Sequence, residues 1–303
     1  MEMKQLEVFV CVAKTLSFSK AAEKLFISQP TVSASIGALE KHLGAQLFIR
    51  NTKEVSLTKD GLGFLAHAQR ILSLRDQAVQ SIAGEDRSAQ GELDIIASTI
   101  PAQHLLPEMI ASFQRLWPNI LFRVEQADSR RVEHEMGSFR YDFGMVGTSP
   151  GDDRFVQHPI YNDELIVAIP GDAPESPDMI REGFADYVAR TPFIMRESGS
   201  GTRAEVEALL SQIGVDPRAL RFAAYFSDAH SILLAVSRGM GISLVSKVAA
   251  ALYVEAGLLR AVEMNSPLFH RQIHLLHHKA LWPSPVQKAF IHHAQQFYSG
   301  GNT

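Results

Sequence analysis

Residues 17–43 constrain this chain most: two short amphipathic segments meet at a three-residue turn, and the second opens on small polar residues. Ser17 stands where a hydroxyl caps a helix by accepting a free N–H of the first turn. Ala21, Ala22 and Leu25 follow at helical spacing, and the two alanines permit close approach of a second helix. Phe26-Ile27-Ser28 reads as the turn. Ser28 is placed to cap the next helix, and Pro30 suits its first turn because it has no N–H to leave unpaired. Val32, Ile36, Leu39 and Leu43 recur every three or four residues and predict that helix's buried stripe. Ser28, Gln29, Pro30, Thr31, Ser33, Ala34 and Ser35 are left at its N-terminal end or outer face. A helix-turn-helix presents such residues to base edges and phosphates in the major groove, so double-stranded DNA is the first candidate partner. An ordinary helical hairpin with a solvated polar face is the competing reading.

A longer pattern surrounds this unit: Phe9, Ser17, Ala21-Ala22, Leu25, Ser28-Gln29-Pro30, Val32-Ser33, Ile36, Leu39-Glu40, Leu43-Gly44, Leu47-Phe48, Arg50, Leu57-Thr58 and Gly61. With it, the segment resembles the N-terminal domain of LysR-type transcriptional regulators. The resemblance implies a winged helix-turn-helix over residues 1–58, with two short wing strands near Gln46–Thr58. It also implies that Arg50 meets phosphate or the minor groove. One position departs: the family often carries Arg, Lys or Gln after Val32-Ser33, where this chain has Ala34. Base reading there is limited to contacts such as a thymine methyl, and DNA shape takes a larger share.

Charge is divided in keeping with a DNA-binding head on a larger body. The whole chain carries a net charge of −4, unlike a protein that simply coats DNA. Residues 1–90, however, hold 11 Lys and Arg against 9 Asp and Glu, while the remainder holds 18 against 24. With 303 residues the chain has room for two or three domains, each with its own core. The single cysteine, Cys11, lies among Val8, Phe9, Val10 and Val12 and reads as a small buried hydrophobe rather than a redox sensor. No intrachain disulfide can form, Met1-Glu2-Met3-Lys4 does not read as a secretory leader, and no apolar run approaches the roughly 20 residues of a membrane span. A cytoplasmic protein without a membrane partner is the expectation.

From Thr58 to about Ser88 the pattern predicts one long helix, the linker of residues 59–90. Leu65, Leu72 and Val79 repeat every seven residues, with Ala68 and Ile82 beside them, which is a short dimerising seam. A helix lying on its own domain is the alternative. Gly84–Gly91 breaks the pattern, and residues 91–303 then alternate strand and helix. Strands are expected at Glu92–Ala97, Ile120–Glu125, Phe143–Val146, Leu165–Ile169, Phe193–Met195, Leu220–Ala224, Ile242–Val245 and Gln272–Leu276. Helices are expected at His104–Leu116, Ser129–Gly137 and Pro285–Phe297, and from Thr202, Ala229 and Lys247. This rhythm predicts parallel sheets covered on both faces. The overall expectation is a multidomain α+β chain: a winged head, a linker helix and a two-lobed α/β body. The resemblance extends over the body and implies a fold like the type 2 periplasmic binding proteins. Lobe 1 would be about 91–162 and 269–303, and lobe 2 about 163–268, with an effector between them.

Three segments are candidates for that cleft. Ser98 and Thr99 follow the first strand and precede a helix, where open α/β sheets bind ligands. Arg196-Glu197-Ser198-Gly199-Ser200-Gly201-Thr202-Arg203 opens a helix with two glycines, two serines and a threonine, a nest suited to an anion. It is not a Walker A loop, since the Lys-Ser/Thr pair is missing. Gly147-Thr148 ends another strand facing it. The expected effector contacts are therefore Ser98, Thr99, Thr148, Glu197, Ser198, Gly199, Ser200 and Thr202, with turn formation and capping as the plainer reading. Asp228 is read as a helix cap. The Glu-Ser-Gly-Ser-Gly-Thr-Arg form is similar to regulators of sulfur assimilation and carbon fixation, implying an oxidised sulfur species or a phosphorylated or carboxylated metabolite. No cofactor is expected beyond that effector. His274, His277, His278, His292 and His293 invite a metal, but no usual ligand set accompanies them, and they read as solvated or interface residues. No nucleophile elbow, dinucleotide fingerprint or metal triad is present, so no catalytic residue is assigned. The competing functions are a ligand-independent architectural DNA binder and an enzyme with a helix-turn-helix head. A homodimer or homotetramer on an operator, with RNA polymerase as a further partner, is what the family resemblance implies.

Overall fold

The computed structural model describes residues 1–50, 55–83, 91–148 and 151–299. The head comprises α1 (Met3–Thr15), α2 (Phe18–Lys24) and α3 (Gln29–Leu43), then an antiparallel wing of β1 (Phe48–Arg50) and β2 (Val55–Leu57). Both anticipated caps form: Ser17 Oγ accepts from Lys20 N, and Ser28 Oγ from Thr31 N. Ala21, Ala22, Val32, Ile36 and Leu39 are buried together with Phe9, whose ring lies 5.4 Å from Phe48 and 5.2 Å from Phe64. Leu43, expected on that stripe, is exposed. The helix stops beside it, with Gly44 as a left-handed C-cap at φ 68°, so no further turn carries it over the core. Cys11 is only half-buried; burial still raises its thiol pKa and disfavours the thiolate.

Thr58 Oγ1 accepts from Gly61 N and starts α4 (Lys59–Ala83), a helix roughly 38 Å long. Along the expected seam, Leu65 and Ala68 are buried in the head, Leu72 is half-buried, and Val79 is exposed. The outer half of the seam is therefore uncovered within one chain. The side chain of Ile82 and the proposed boundary at 84–90 lie outside the described residues.

The body begins with β3 (Gly91–Ala97), a π-helical turn (Pro101–Leu105), α5 (Leu106–Leu116), β4 (Ile120–Gln126), α6 (Ser129–Met136) and β5 (Phe143–Val146). Then come β6 (Phe155–Pro170), α7 (Pro177–Glu182), α8 (Phe184–Arg190), β7 (Phe193–Arg196), α9 (Gly201–Gln212), β8 (Phe222–Phe226) and α10 (Ala229–Ser237). It ends with β9 (Ser243–Ser246), α11 (Lys247–Glu255), β10 (Leu259–Val262), β11 (His270–His278) and α12 (Pro285–Phe297). The first helix of the body thus starts at Pro101, earlier than the expected His104.

Lobe 1 has the strand order β4-β3-β5-β11-β6. Residues 155–164 of β6 pair with β11, and residues 165–170 pair with β9 and β10 in lobe 2. One strand thus runs through both lobes and places Asp163 at the crossing. In lobe 2, β7 and β8 pair in parallel, and Phe193 bridges to Ile242. α12 returns to lobe 1, where Phe290 packs 5.3 Å from the rings of Phe113 and Phe143.

The expectation of parallel sheets is corrected. β3–β4, β3–β5 and β7–β8 are parallel, but β11 runs antiparallel to β5 and β6, and β9 and β10 run antiparallel to β6. Parallel pairs need a crossover helix; β11 instead enters lobe 1 from lobe 2, against the direction of β6. Only Leu165–Ile169 of β6 was anticipated. The preceding stretch contains Pro159, Asn162 and Asp163 and lacks alternation, and a register shift falls opposite Pro159. α7, α8 and β10 are elements beyond those the sequence pattern predicts.

Candidate functional site

Three helical N-termini converge where the lobes meet: residues 98–101, Asp128-Ser129 of α6, and Ser200–Thr202 of α9. Their free N–H groups point positive charge into one space. Asp128 Oδ1 accepts from Arg131 N, and Ser200 Oγ from Arg203 N, so the ends of α6 and α9 are fixed by their own caps. Gly201 lets these ends touch across the cleft, since a Cβ there would lie 2.5 Å from Ser129 Oγ.

Two buried guanidinium groups flank the same space. Arg196 Nη2 donates to Thr99 Oγ1 (3.2 Å), to Ser227 O (3.0 Å) and to Glu197 Oε1 (2.9 Å). Arg271 sits directly opposite Asp163 in the β11–β6 register and donates Nε to its Oδ2 at 2.9 Å. Its Nη1 donates to Thr202 Oγ1 at 3.1 Å. Its Nη2 is 2.8 Å from Asp163 Oδ2 but is not aligned for a hydrogen bond, which leaves one buried donor over. Gly147 leaves room for this guanidinium, with Arg271 Cζ 3.4 Å from where a Cβ would stand. The space these groups line is small, and the Arg196–Thr99 and Arg271–Thr202 hydrogen bonds cross it from lobe to lobe.

Of the residues expected here, Ser98, Thr99, Ser200 and Thr202 line the cleft. Thr148 stands just behind Gly201, whose Cβ would meet its Cγ2 at 3.1 Å. Glu197, Ser198 and Gly199 are not among the residues that line this space. Glu197 is engaged by Arg196, Ser198 is exposed, and Gly199, at φ 101°, lies against the Asp128 carboxylate. Asp228 is the cap it was read as. Burial opposes its charge, but the N–H and Oγ–H donated by Ser231 hold its pKa below the ordinary value. Four further residues line the space without standing out in the sequence as ligand contacts: Arg196, Arg271, Asp128 and Ser129. A signal for Arg271 existed: it shares its strand parity with buried Ile273 and Leu275, where a charge survives only if paired.

On the head, Gln29, Pro30, Thr31 and Ala34 are exposed, Ser33 and Ser35 are half-buried, and Ser28 is occupied with capping. Arg50 Nη2 donates to Glu40 Oε2 at 3.0 Å, and its guanidinium lies 4.8 Å from the Phe18 ring centre. Glu40 Oε1 accepts from Leu47 N and Phe48 N, so one carboxylate joins α3 to the base of the wing. Residues 51–54 of the wing lie outside the described residues.

Among the described residues, no group of three or more His, Cys, Asp or Glu could hold a metal ion. The histidines are less solvated than expected. His278 is buried between Phe139 and Phe155, His158 stacks on His277, and His293 meets Phe113. Burial lowers the pKa of each, because these sites sit on or beside the faces that α12 and the head cover.

Residues 3–62 match the family model "Bacterial regulatory helix-turn-helix protein, lysR family", and residues 86–299 match the LysR substrate binding domain. The transcriptional regulator CysL of Bacillus subtilis is 29% identical over 272 residues, covering 90% of this chain and 85% of that protein. The "Probable RuBisCO transcriptional regulator" of Cyanidioschyzon merolae is 29% identical over 273 residues, 89% of each chain. A full-length OxyR variant from Pseudomonas aeruginosa has the same fold, with a TM-score of 0.74, 20% identity, and coverage of 99% of this chain and 96% of that one. Among the described residues, no helix is long and apolar enough to cross a membrane.

Proposed function

Because the chain belongs to the LysR family of transcriptional regulators, with a DNA-binding head and an effector-binding body, we propose that a small oxyanion held between the lobes controls how its heads engage an operator. The observation that carries this reading is the convergence of three helical N-termini on one small space beside the buried Arg271 guanidinium. Glu197 and Asp163 offset the formal charges of the two arginines. Attraction for an anion then comes from N–H groups and hydroxyls, which suits a compact ligand whose oxygens each accept several hydrogen bonds. Entry requires the lobes to part, so the ligand must favour one lobe arrangement over the other. In this reading two or four chains, paired through α4, occupy an interrupted palindrome in the cytoplasm and act on RNA polymerase. They carry no cofactor and perform no catalysis.

The test is thermal unfolding of the full chain against sulfite, sulfate, thiosulfate, phosphate, phosphoglycolate and simple carboxylates. A ligand selective for the folded state raises the midpoint as its concentration passes the dissociation constant. One oxyanion is expected to do so, and Thr202→Ala to abolish the shift. Absence of a shift with every anion would overturn the reading.

The DNA surface has its own test. Each phosphate contact contributes about 0.9 to the slope of log K against log salt. Ala34→Arg, on the exposed face of α3, is expected to raise affinity and steepen the slope by about that amount per head; Arg50→Ala is expected to flatten it similarly. Salt-titrated anisotropy with operator DNA measures both. Unchanged slopes would show that α3 and the wing face away from the backbone.

A further inference from the structure

The head is docked on lobe 1 of its own chain, and the contact ends on the helix that begins at the cleft. α6 has its N-terminus, Asp128-Ser129, in the cleft wall. It ends at Met136, and Phe139 follows in the next turn at φ 60°, a conformation costly for a bulky side chain. Phe139 is only 6% exposed, and it packs in the same apolar cluster as Leu6, Phe9, Ile36 and Leu65 of the head and linker. Its other neighbour is His278, with ring centres 4.2 Å apart. His278 Nδ1 accepts from Ala280 N, which orients that ring.

Ion pairs also join the head to lobe 1. Asp142, at the foot of β5, accepts from Lys14 Nζ of α1 at 2.8 Å, from Gln287 Nε2 at 3.0 Å and from Asp94 N at 2.9 Å. Lys14 is largely buried; the charges of Asp142 and Asp94 outweigh that desolvation and raise its pKa. Lys24 Nζ lies 2.5 Å from Glu92, which Arg123 also grips; Arg123 and Lys24 together hold its carboxyl down to about 2. Across the contact Leu281 joins the head cluster, and Arg70 of α4 lies over Trp282. The outer face of α3 stays exposed, so docking sets the head's orientation without covering its DNA-facing residues.

We propose that α6 is the lever between cleft and head: its first turn senses lobe closure, and the turn that follows it, through Phe139, sets how firmly the head is seated. The link to closure rests on the oxyanion reading of the cleft; the mechanical link from α6 to the head does not. At about 12 Å, α6 spans from the cleft wall to the turn that carries Phe139. Gly201 presses the end of α9 on Ser129, so parting the lobes releases the first turn of α6 directly.

Hydrogen exchange of the full-length protein tests both links, because seated segments are protected by the contacts that seat them. Phe139→Asn keeps a residue tolerant of the left-handed conformation and removes the wedge. It is expected to cost the α1 amides protection while leaving those at 201–203 unchanged. Lys14→Met, which keeps the packing, should cost α1 a smaller part. Asp128→Ala, which uncaps α6 in the cleft wall, should cost protection in α6 and also in α1. Protection of α1 unchanged by Asp128→Ala, with α6 itself loosened, would overturn the lever. Sodium sulfate, against sodium chloride at equal ionic strength, is the ligand probe. In the wild type it should protect 201–203 and alter α1; in Phe139→Asn only the first effect should remain. Sulfate altering α1 equally in Phe139→Asn would overturn the route through Phe139. A failure of sulfate to protect 201–203 would count against the oxyanion reading, while the Asp128→Ala result decides the lever.

Discussion

Arg271→Met is expected to cost the fold about 3–5 kcal/mol and to remove the effector response with it. Asp163 is fully buried, and its partners are Arg271 and the Ser246 hydroxyl, which donates at 2.6 Å. Methionine fills much of the arginine stem's volume but leaves the Asp163 charge facing a single hydroxyl in a low-dielectric site. Breaking one side of a buried pair is costly for that reason, even where the pair itself adds little net stability. The double variant Asp163→Asn/Arg271→Met removes both charges and should recover a substantial part of the loss. Denaturant unfolding of the four proteins at one protomer concentration gives the cycle. A single-variant loss below about 1 kcal/mol would mean that Asp163 is solvated when its partner goes, as expected of an exposed pair. Arg271→Lys separates the two roles. It retains a cation near Asp163 but cannot hold that carboxylate and Thr202 Oγ1 through a rigid fork. It should be less destabilised than Arg271→Met and still unresponsive.

The pair also marks where sequence reasoning stopped. Local chemistry was legible: Ser17 and Ser28 announced their helices, the serines and glycines at 198–201 announced a helix N-terminus, and Phe143–Val146 and Pro285–Phe297 came out with their observed limits. Each of these rests on neighbours within a few residues. Asp163 and Arg271 are 108 residues apart, and only the antiparallel register of β6 and β11 sets them face to face. Reading the strands as parallel removed the very pairing that unites them. The partner of Glu197 is equally hidden: its place in the nest is legible, but not that Arg196 turns back to engage its carboxylate. Asp128 and Ser129 looked like an ordinary cap because their second role depends on α9 arriving from the other lobe. The family resemblance supplied the two-lobed plan that local periodicity could not, but not these pairings.

Gly61 and Gly63, two residues apart in the first turns of α4, should respond to alanine with opposite signs. A glycine inside a helix costs up to about 1 kcal/mol relative to alanine, so propensity alone predicts that both changes stabilise. The surroundings separate them. At Gly63 no atom lies within 4 Å of where a Cβ would stand, and the site is exposed. Gly63→Ala is therefore expected to stabilise the head by a few tenths to about 1 kcal/mol. At Gly61 a Cβ would collide with the backbone carbonyl of Leu47, which already accepts from Thr58 N, while Thr58 Oγ1 donates to Gln46 O at 2.7 Å. This knot of main chain seats the start of α4 against the base of the wing, and a backbone atom cannot rotate away as a side chain can. Gly61→Ala should therefore destabilise the head by about 2–3 kcal/mol, at the upper end for overpacking, despite its better helix propensity. A head of about 60 residues has little stability to spare, so the loss should show as a lower melting midpoint and weaker operator binding together. Circular dichroism melts with operator anisotropy on the two variants measure this. If Gly61→Ala matched Gly63→Ala in sign, the wing would not be held against α4 in solution, and Arg50, which depends on that base through Glu40, would lose its place beside α3.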